Sequence, residues 1–147
     1  MKKQAYTMIA LIVLVGSMAV AAQAQNIGRT RMTANIPFDF SFGNKDLPAG
    51  RYEVTEVNPA SQPVVLRLRS QDGSSTVLLQ MNTAIGRTRQ SAKLIFRRYG
   101  SHYFFGQAWI DGEMTGLQAP KSRNERAIEH ELAATKPSTV TVALSSR

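Results

Sequence analysis

The sequence predicts an all-β protein: an antiparallel β-sandwich or small closed barrel of about seven or eight strands, with one short C-terminal helix on its surface. Apolar and polar side chains alternate from Arg31 to Phe42, with Met, Ala, Ile and Phe on one side. A period of two is typical of a strand with one buried face. Turn signals then recur at short intervals in a chain rich in Val, Phe, Tyr and Thr, as in antiparallel β-domains.

The first predicted strand contains Pro37, which has no N–H to give to a strand ladder. We therefore expect this strand to lie at a sheet edge or to carry a bulge there. Residues 43–46 and 48–50 are rich in Gly, Pro, Asn and Asp and predict two turns.

The remaining strands are short segments between further turn signals. Asp111-Gly112 is the strongest short hairpin signal. The predicted strands cover 51–57, 64–69, 76–85, 92–99, 103–110, 113–117 and 139–144.

One helix is predicted over residues 122–134. Ser122 and Glu125 form a capping-box pattern at its start. Its thin apolar stripe, which includes Ala127 and Ile128, predicts a helix that lies on the sheet surface.

Residues 1–24 have the parts of a secretory signal peptide: a basic start, an apolar run over 8–20 and small residues before the cleavage position. The run is shorter than the roughly 20 residues of a membrane span. We expect cleavage near Ala24-Gln25, export to the periplasm or the medium, and one β-domain over 25–147 with no transmembrane segment.

The chain is basic and contains no cysteine. It has 18 Lys and Arg against 10 Asp and Glu, and loss of the two leader lysines would lower the net charge from +8 to +6. A basic exported protein is suited to an anionic polysaccharide or envelope component, and we expect no specific nucleic-acid partner. The absence of cysteine excludes disulfides, thiolate metal sites, a cysteine nucleophile and a lipoprotein anchor.

Arginine pairs of the form Arg-x-Arg occur three times. On a strand, the two side chains of a pair share a face and stand about 6.6 Å apart, so both guanidinium groups can meet phosphate or carboxylate. The alternative is a solvated face that covers apolar surface and deters aggregation. The candidate ligand-binding residues are Arg67, Arg69, Arg87, Arg89 and Arg97.

No catalytic residue, metal site or cofactor is predicted. His102 and His130 lack metal-box spacing, and no nucleophile elbow or phosphate loop is present. The acids that could serve in acid–base chemistry are Asp39, Glu53, Glu56, Asp111 and Glu113. An aromatic cluster around one hairpin predicts core and cross-strand pairs, with a stacking platform for sugars or bases as the alternative. Its members are Phe96, Tyr99, Tyr103, Phe104, Phe105 and Trp109.

The pentapeptide Ile27–Arg31 recurs unchanged as Ile85–Arg89. The similarity continues through the pairs Ala34/Ala92, Ile36/Leu94 and Phe38/Phe96. This echo indicates either a pseudo-symmetric domain or a coincidence between two strands of an arginine-rich chain.

Three segments, LPAGRYEV (47–54), RYGSHYF (98–104) and PKSRNER (120–126), follow the leader in this order. With them the chain resembles a group of uncharacterised small exported β-proteins of environmental bacteria. The resemblance implies export and a β-fold, and it carries no activity, cofactor or site residue.

Three functional hypotheses follow. The first is an exported, non-enzymatic binding or structural module with a filled interior, whose arginine-bearing sheet face contacts anionic envelope or polysaccharide groups. The second is a hydrolase or isomerase that binds a small ligand inside a barrel and uses Asp or Glu as acid and base. The third is an assembly subunit that pairs through the strand containing Pro37.

Overall fold

The structure, a computed structural model, describes residues 31–60, 62–86, 91–111 and 114–146. Within these ranges the chain forms ten β-strands and one α-helix. The strands are β1 (Met32–Ile36), β2 (Phe40–Phe42), β3 (Lys45–Leu47), β4 (Gly50–Glu56), β5 (Val64–Ser70), β6 (Thr76–Ile85), β7 (Lys93–Tyr99), β8 (His102–Trp109), β9 (Thr115–Gln118) and β10 (Ser138–Ser146). The helix, α1 (Arg123–Glu131), lies between β9 and β10 in the chain.

Eight of the strands close into an antiparallel barrel. Their order is β8-β7-β10-β1-β4-β5-β6-β9, and β9 pairs with β8 to complete the circle. Strands β2 and β3 form a hairpin outside this circle, and β2 pairs in parallel with β8 at Ser41 and Phe104. The predicted all-β class is therefore confirmed, and of the two predicted architectures the chain adopts the barrel.

Strand β9 closes only one end of the barrel, because it is four residues long. It pairs with β6 along Asn82–Ile85 and with β8 at Gln107 and Ala108. The β2–β3 hairpin packs at the other end: Phe42 and Leu47 belong to the buried core. The first half of β6 consequently pairs with β5 alone among the described strands.

Apolar side chains fill the barrel interior. Eight-stranded barrels have room for little more than their own inward-facing side chains. The most deeply buried apolar residues, at no more than 1% exposure, are Ala34, Ile36, Phe42, Val54, Leu66, Leu68, Leu94 and Phe96. The alternation of apolar and polar residues in the sequence predicts which side chains of these strands face the core.

The single strand predicted over 31–42 is two strands in the structure. Strand β1 ends at Ile36, before Pro37, and the chain leaves the barrel to form β2. The expectation of an edge strand or a bulge at Pro37 is wrong, because β1 pairs with β10 on one side and β4 on the other and ends before Pro37. Pro37 lies beyond the ladder, so its missing N–H interrupts no pairing.

The helix begins as predicted, and its buried face differs from the prediction. The Ser122 hydroxyl accepts a hydrogen bond from the Glu125 amide at 3.1 Å, which confirms the cap. Ala127, predicted to face the sheet, is exposed, whereas Glu125 is only 1% exposed. No helix within the described ranges is long and apolar enough to cross a membrane.

The sequence echo coincides with a structural equivalence around β10. Ala34 of the first copy is the register partner of Leu144, and the Leu144 amide donates to the carbonyl of Ala92, the matching residue of the second copy, at 3.0 Å. The register continues in β7, where Leu94 faces Val142. Matching positions of the two copies thus flank the same residue of β10. Most of each pentapeptide lies outside the described residues.

Candidate functional site

The structure brings two of the five predicted ligand-binding arginines together. Arg67 and Arg69 share the outward side of β5. Arg97 lies on β7, and β10, β1 and β4 separate it from β5 around the barrel wall. Arg87 and Arg89 lie outside the described residues.

Arg97 is engaged in contacts that hold helix α1 against the barrel. Its Nε and Nη2 donate to the two carboxylate oxygens of Glu125 at 2.5 and 2.8 Å. Nη2 also donates to the carbonyl of Phe105 at 3.2 Å, and the Tyr99 hydroxyl donates to Glu125 at 3.3 Å. The guanidinium group of Arg97 is thus directed to the helix and away from Arg67 and Arg69.

The three segments that carry the resemblance make architectural contacts. In the first, the Tyr52 hydroxyl donates to the carbonyl of Pro48 at 2.6 Å, which closes the turn before β4. The second and third segments meet under α1 through Tyr99 and Glu125. These contacts account for the fold of the segments without implying an activity.

The outward sides of β1, β4 and β5 form what we call the arginine face: Arg51, Glu53, Arg67 and Arg69. Strand register places Thr33, Glu53 and Arg69 in one row across the three strands. The face therefore carries three guanidinium groups and one carboxylate, and Arg67 is the one that lies within ion-pair distance of Glu53 among the described residues. Arg51 is absent from the predicted set, because it belongs to no Arg-x-Arg pair.

Arg67 is the arginine of this face that contacts neighbouring side chains. Its Nη2 lies 3.8 Å from Oε1 of Glu53, and its register partner Thr55 is only 1% exposed. The Thr55 hydroxyl also donates to the Glu53 carboxylate, at 3.4 Å. Within the described part of the chain, the buried Nε of Arg67 has no hydrogen-bond partner.

Arg51 and Arg69 are exposed, and neither guanidinium group has a hydrogen-bond or ion-pair partner among the described residues. They flank a cleft of about 220 Å³. Hydroxyl, amide and carboxylate groups make up most of the rest of its lining, which comprises Thr33, Tyr52, Glu53, Ser70 and Gln71. Two unpaired cations thus stand beside neutral hydrogen-bonding groups.

The cleft continues towards the β5–β6 turn, where the sign of the charge reverses. The hydroxyl of Ser70 and the amide and hydroxyl of Ser74 lower the pKa of Asp72 to about 2. Asp72 is therefore ionised at ordinary pH and repels an anion from this end. The positive part of the cleft lies at the strands, between Arg51 and Arg69.

Guanidinium groups pair with carboxylate or phosphate through two parallel N–H donors. The exposed Gln71 side chain supplies a donor and an acceptor of the kind that bind sugar hydroxyls, whereas the hydroxyls of Thr33 and Ser70 are bonded within the protein. The arrangement is chemically suited to recognition of an anionic, hydroxyl-bearing group.

The residues considered for catalysis are dispersed. His102 and His130 are exposed, and Asp39 accepts the Ala49 amide at 2.8 Å. Glu53 belongs to the arginine face, Glu56 lines a cleft at one end of the barrel, Asp111 is exposed and Glu113 lies outside the described residues. Over the described ranges, no three His, Asp or Glu side chains form a group that could hold a metal ion.

The aromatic cluster is packed into the protein. Phe96 and Phe105 belong to the barrel core, while Tyr99, Phe104 and Trp109 are buried outside that core. Tyr103 is half-buried and stacks on Phe38, with ring centroids 4.1 Å apart. These rings form packing contacts, as the prediction of core and cross-strand pairs had it.

Comparison of the chain with protein-family models, with curated proteins and with solved structures found no match.

Proposed function

We propose that this protein is an exported, non-enzymatic binding module that recognises carboxylate groups on an anionic polysaccharide through the arginine face. The observation that carries the proposal is the pair of exposed guanidinium groups, Arg51 and Arg69, without partners in the described structure. Export is inferred from the leader-like composition of residues 1–24.

The charge distribution supports an anionic ligand. The face carries three guanidinium groups and one carboxylate, in a chain whose formal net charge is +8, or +6 without the two leader lysines. Exposed charges attract a polyanion at low salt, and screening shortens their range to about 8 Å at physiological ionic strength. We therefore expect affinity to fall steeply as salt is added.

The composition of the cleft supports a carboxylated sugar over an isolated anion. Both arginines can engage one carboxylate or two on successive sugars, while Gln71 is placed to bind a neighbouring hydroxyl group. The filled interior supports an external binding surface over a ligand enclosed by the barrel.

Binding to an immobilised polyuronate, with a neutral polysaccharide as the reference, tests the proposal. The double variant Arg51→Gln/Arg69→Gln should bind the polyuronate at least tenfold more weakly, because it removes both unpaired cations. A matched control is Arg123→Gln/Arg126→Gln, which removes the same charge from exposed positions on α1.

The two double variants separate a local site from bulk charge. Equal losses in both would show that net charge alone drives the binding, and unchanged binding in the first would refute the site. Circular dichroism and thermal melting of each variant establish that the barrel is intact.

A further inference from the structure

The cleft beside the arginine face runs into a second cleft, of about 430 Å³, at the β5–β6 turn. The linings of the two clefts share Arg51, Tyr52, Ser70 and Gln71, and Asp72 belongs to the second alone. We call the two together the joint cleft. Because they share these residues, one ligand can contact both.

Strand register fixes where the charges of the joint cleft lie. Tyr52 pairs with Ser70, and the Gln71 amide donates to the Arg51 carbonyl at 2.9 Å, so Arg51 and Gln71 are opposite each other. Arg69 is then the diagonal neighbour of Arg51, and such neighbours lie about 7–8 Å apart on one face.

The guanidinium group of Arg69 also extends to the turn that carries Asp72. A Cβ added to Gly73, the residue after Asp72, would lie 3.8 Å from Nη2 of Arg69. Two cationic groups and one anionic group thus lie along one short path, from Arg51 past Arg69 to the turn.

Asp72 is an ionised carboxylate without a cation beside it. Its Oδ1 accepts the amide and the hydroxyl of Ser74 at 3.0 and 2.8 Å, which fixes the orientation of the group. In the part of the chain that the structure describes, no basic side chain lies within ion-pair distance of Asp72. Glu53, the other carboxylate of the joint cleft, differs in this respect, because Arg67 lies 3.8 Å from it. Burial and, next, the charge of Asp72 raise the pKa of Tyr52, which belongs to the shared lining.

We propose that the joint cleft selects a saccharide that carries a carboxylate and a free amino group on neighbouring positions. The proposal rests on the proposed function and narrows its ligand class. The carboxylate pairs with Arg51 and Arg69, the ammonium group pairs with Asp72, and the Gln71 side chain between them binds a sugar hydroxyl. A ligand with anionic groups alone would set a like charge against Asp72, which is a common means of rejecting a wrong partner.

Two forms of one alternating uronic acid–glucosamine polymer test the proposal: the N-acetylated polymer and the same polymer after N-deacetylation. At about pH 5 the freed amine is protonated and the uronate is ionised. Deacetylation brings the polymer close to zero net charge, so bulk attraction to a basic protein would make binding weaker. We expect the opposite, a gain of about three- to fivefold in affinity, the range of an exposed ion pair. The measurement is made at physiological ionic strength, where charges more than about 8 Å apart are screened.

Asp72→Asn should remove this preference. Its affinity for the deacetylated polymer should fall about three- to fivefold, and its affinity for the acetylated polymer should stay the same or rise. Asparagine keeps the oxygen that accepts the two bonds from Ser74, so the turn should persist, which circular dichroism and thermal melting check. Asp111→Asn is the matched control: it removes the same charge from an exposed residue beyond the end of β8 and should leave the preference unchanged.

Tighter binding of the acetylated polymer by the unmodified protein would overturn the proposal, as would a preference that survives Asp72→Asn. Equal effects of Asp72→Asn and Asp111→Asn would assign the preference to net charge and would also overturn it. A dipeptide that competes as well as the deacetylated disaccharide would refute the assignment to a saccharide.

Failure of the proposed function gives a different result. If polyuronate binding did not depend on Arg51 and Arg69, the arginine face itself would be refuted. Polyuronate binding that needs both arginines, with no gain from the free amine, would refute only the pairing with Asp72.

Discussion

Glu125→Gln should strongly destabilise the protein, although the substitution keeps the size of the side chain. Glu125 is 1% exposed and pairs with Arg97, whose side chain is 17% exposed. Removing one partner of a buried ion pair typically costs about 3–5 kcal/mol, because the other charge is left uncompensated. Arg97 keeps its bond to the Phe105 carbonyl, so we expect the lower end, about 3 kcal/mol.

Urea denaturation followed by circular dichroism measures this loss in the free energy of unfolding. Glu129→Gln is the matched control on the same helix, because the Lys121–Glu129 pair has side chains 39% and 38% exposed. Exposed pairs contribute less than about 1 kcal/mol. If Glu125→Gln lowered the stability no more than Glu129→Gln, the argument from the buried pair would be refuted. Replacing both partners, as in Arg97→Met/Glu125→Leu, should restore most of the lost free energy of unfolding.

Two further predictions concern packing and pH. Gly116→Ala should lower the free energy of unfolding by about 1–3 kcal/mol, because a Cβ there would lie 2.7 Å from the Trp109 ring. Gly50→Ala, whose Cβ would have its nearest contact at 3.7 Å, should lower it by less than about 1 kcal/mol. Thermal or urea unfolding measures both, and equal losses would contradict this reasoning. Burial and, to a smaller extent, the charge of Glu125 raise the pKa of Tyr99 above 10.0. The neutral tyrosine therefore stabilises the folded state below pH 10, and this stabilisation is lost as the pH rises through the folded pKa. Tyr99→Phe should reduce this alkaline loss, and pH-dependent unfolding of the two proteins measures it; an unchanged alkaline slope would argue against Tyr99 as its source.

Strand periodicity predicts most of the barrel, because it depends on which side chains face a core. It also assigns Arg67 and Arg69 to the outside of one strand. Arg51 could have been found in the same way, since it alternates with the buried Tyr52 and Val54. What one sequence does not reveal is that β4 pairs with β5 in a register that sets Glu53 opposite Arg69, so that Arg51 and Arg69 line one cleft.

Glu125 shows why the helix prediction was incomplete. An amphipathic interpretation directs apolar residues inward, and it selected Ala127. The structure buries a carboxylate instead, because Arg97 on a distant strand neutralises it. Such a pair depends on tertiary placement, which neither helix periodicity nor the spacing of arginines predicts.

The position of β10 between β1 and β7 has a consequence for synthesis. Both of its neighbours are made earlier, so their facing edges stay unsatisfied until residues 138–146 emerge from the ribosome. Native topology cannot be completed co-translationally before that point, and pairings this distant in sequence form slowly. Until this last strand is made, nothing joins β1 to β7, and the barrel wall stays open between them.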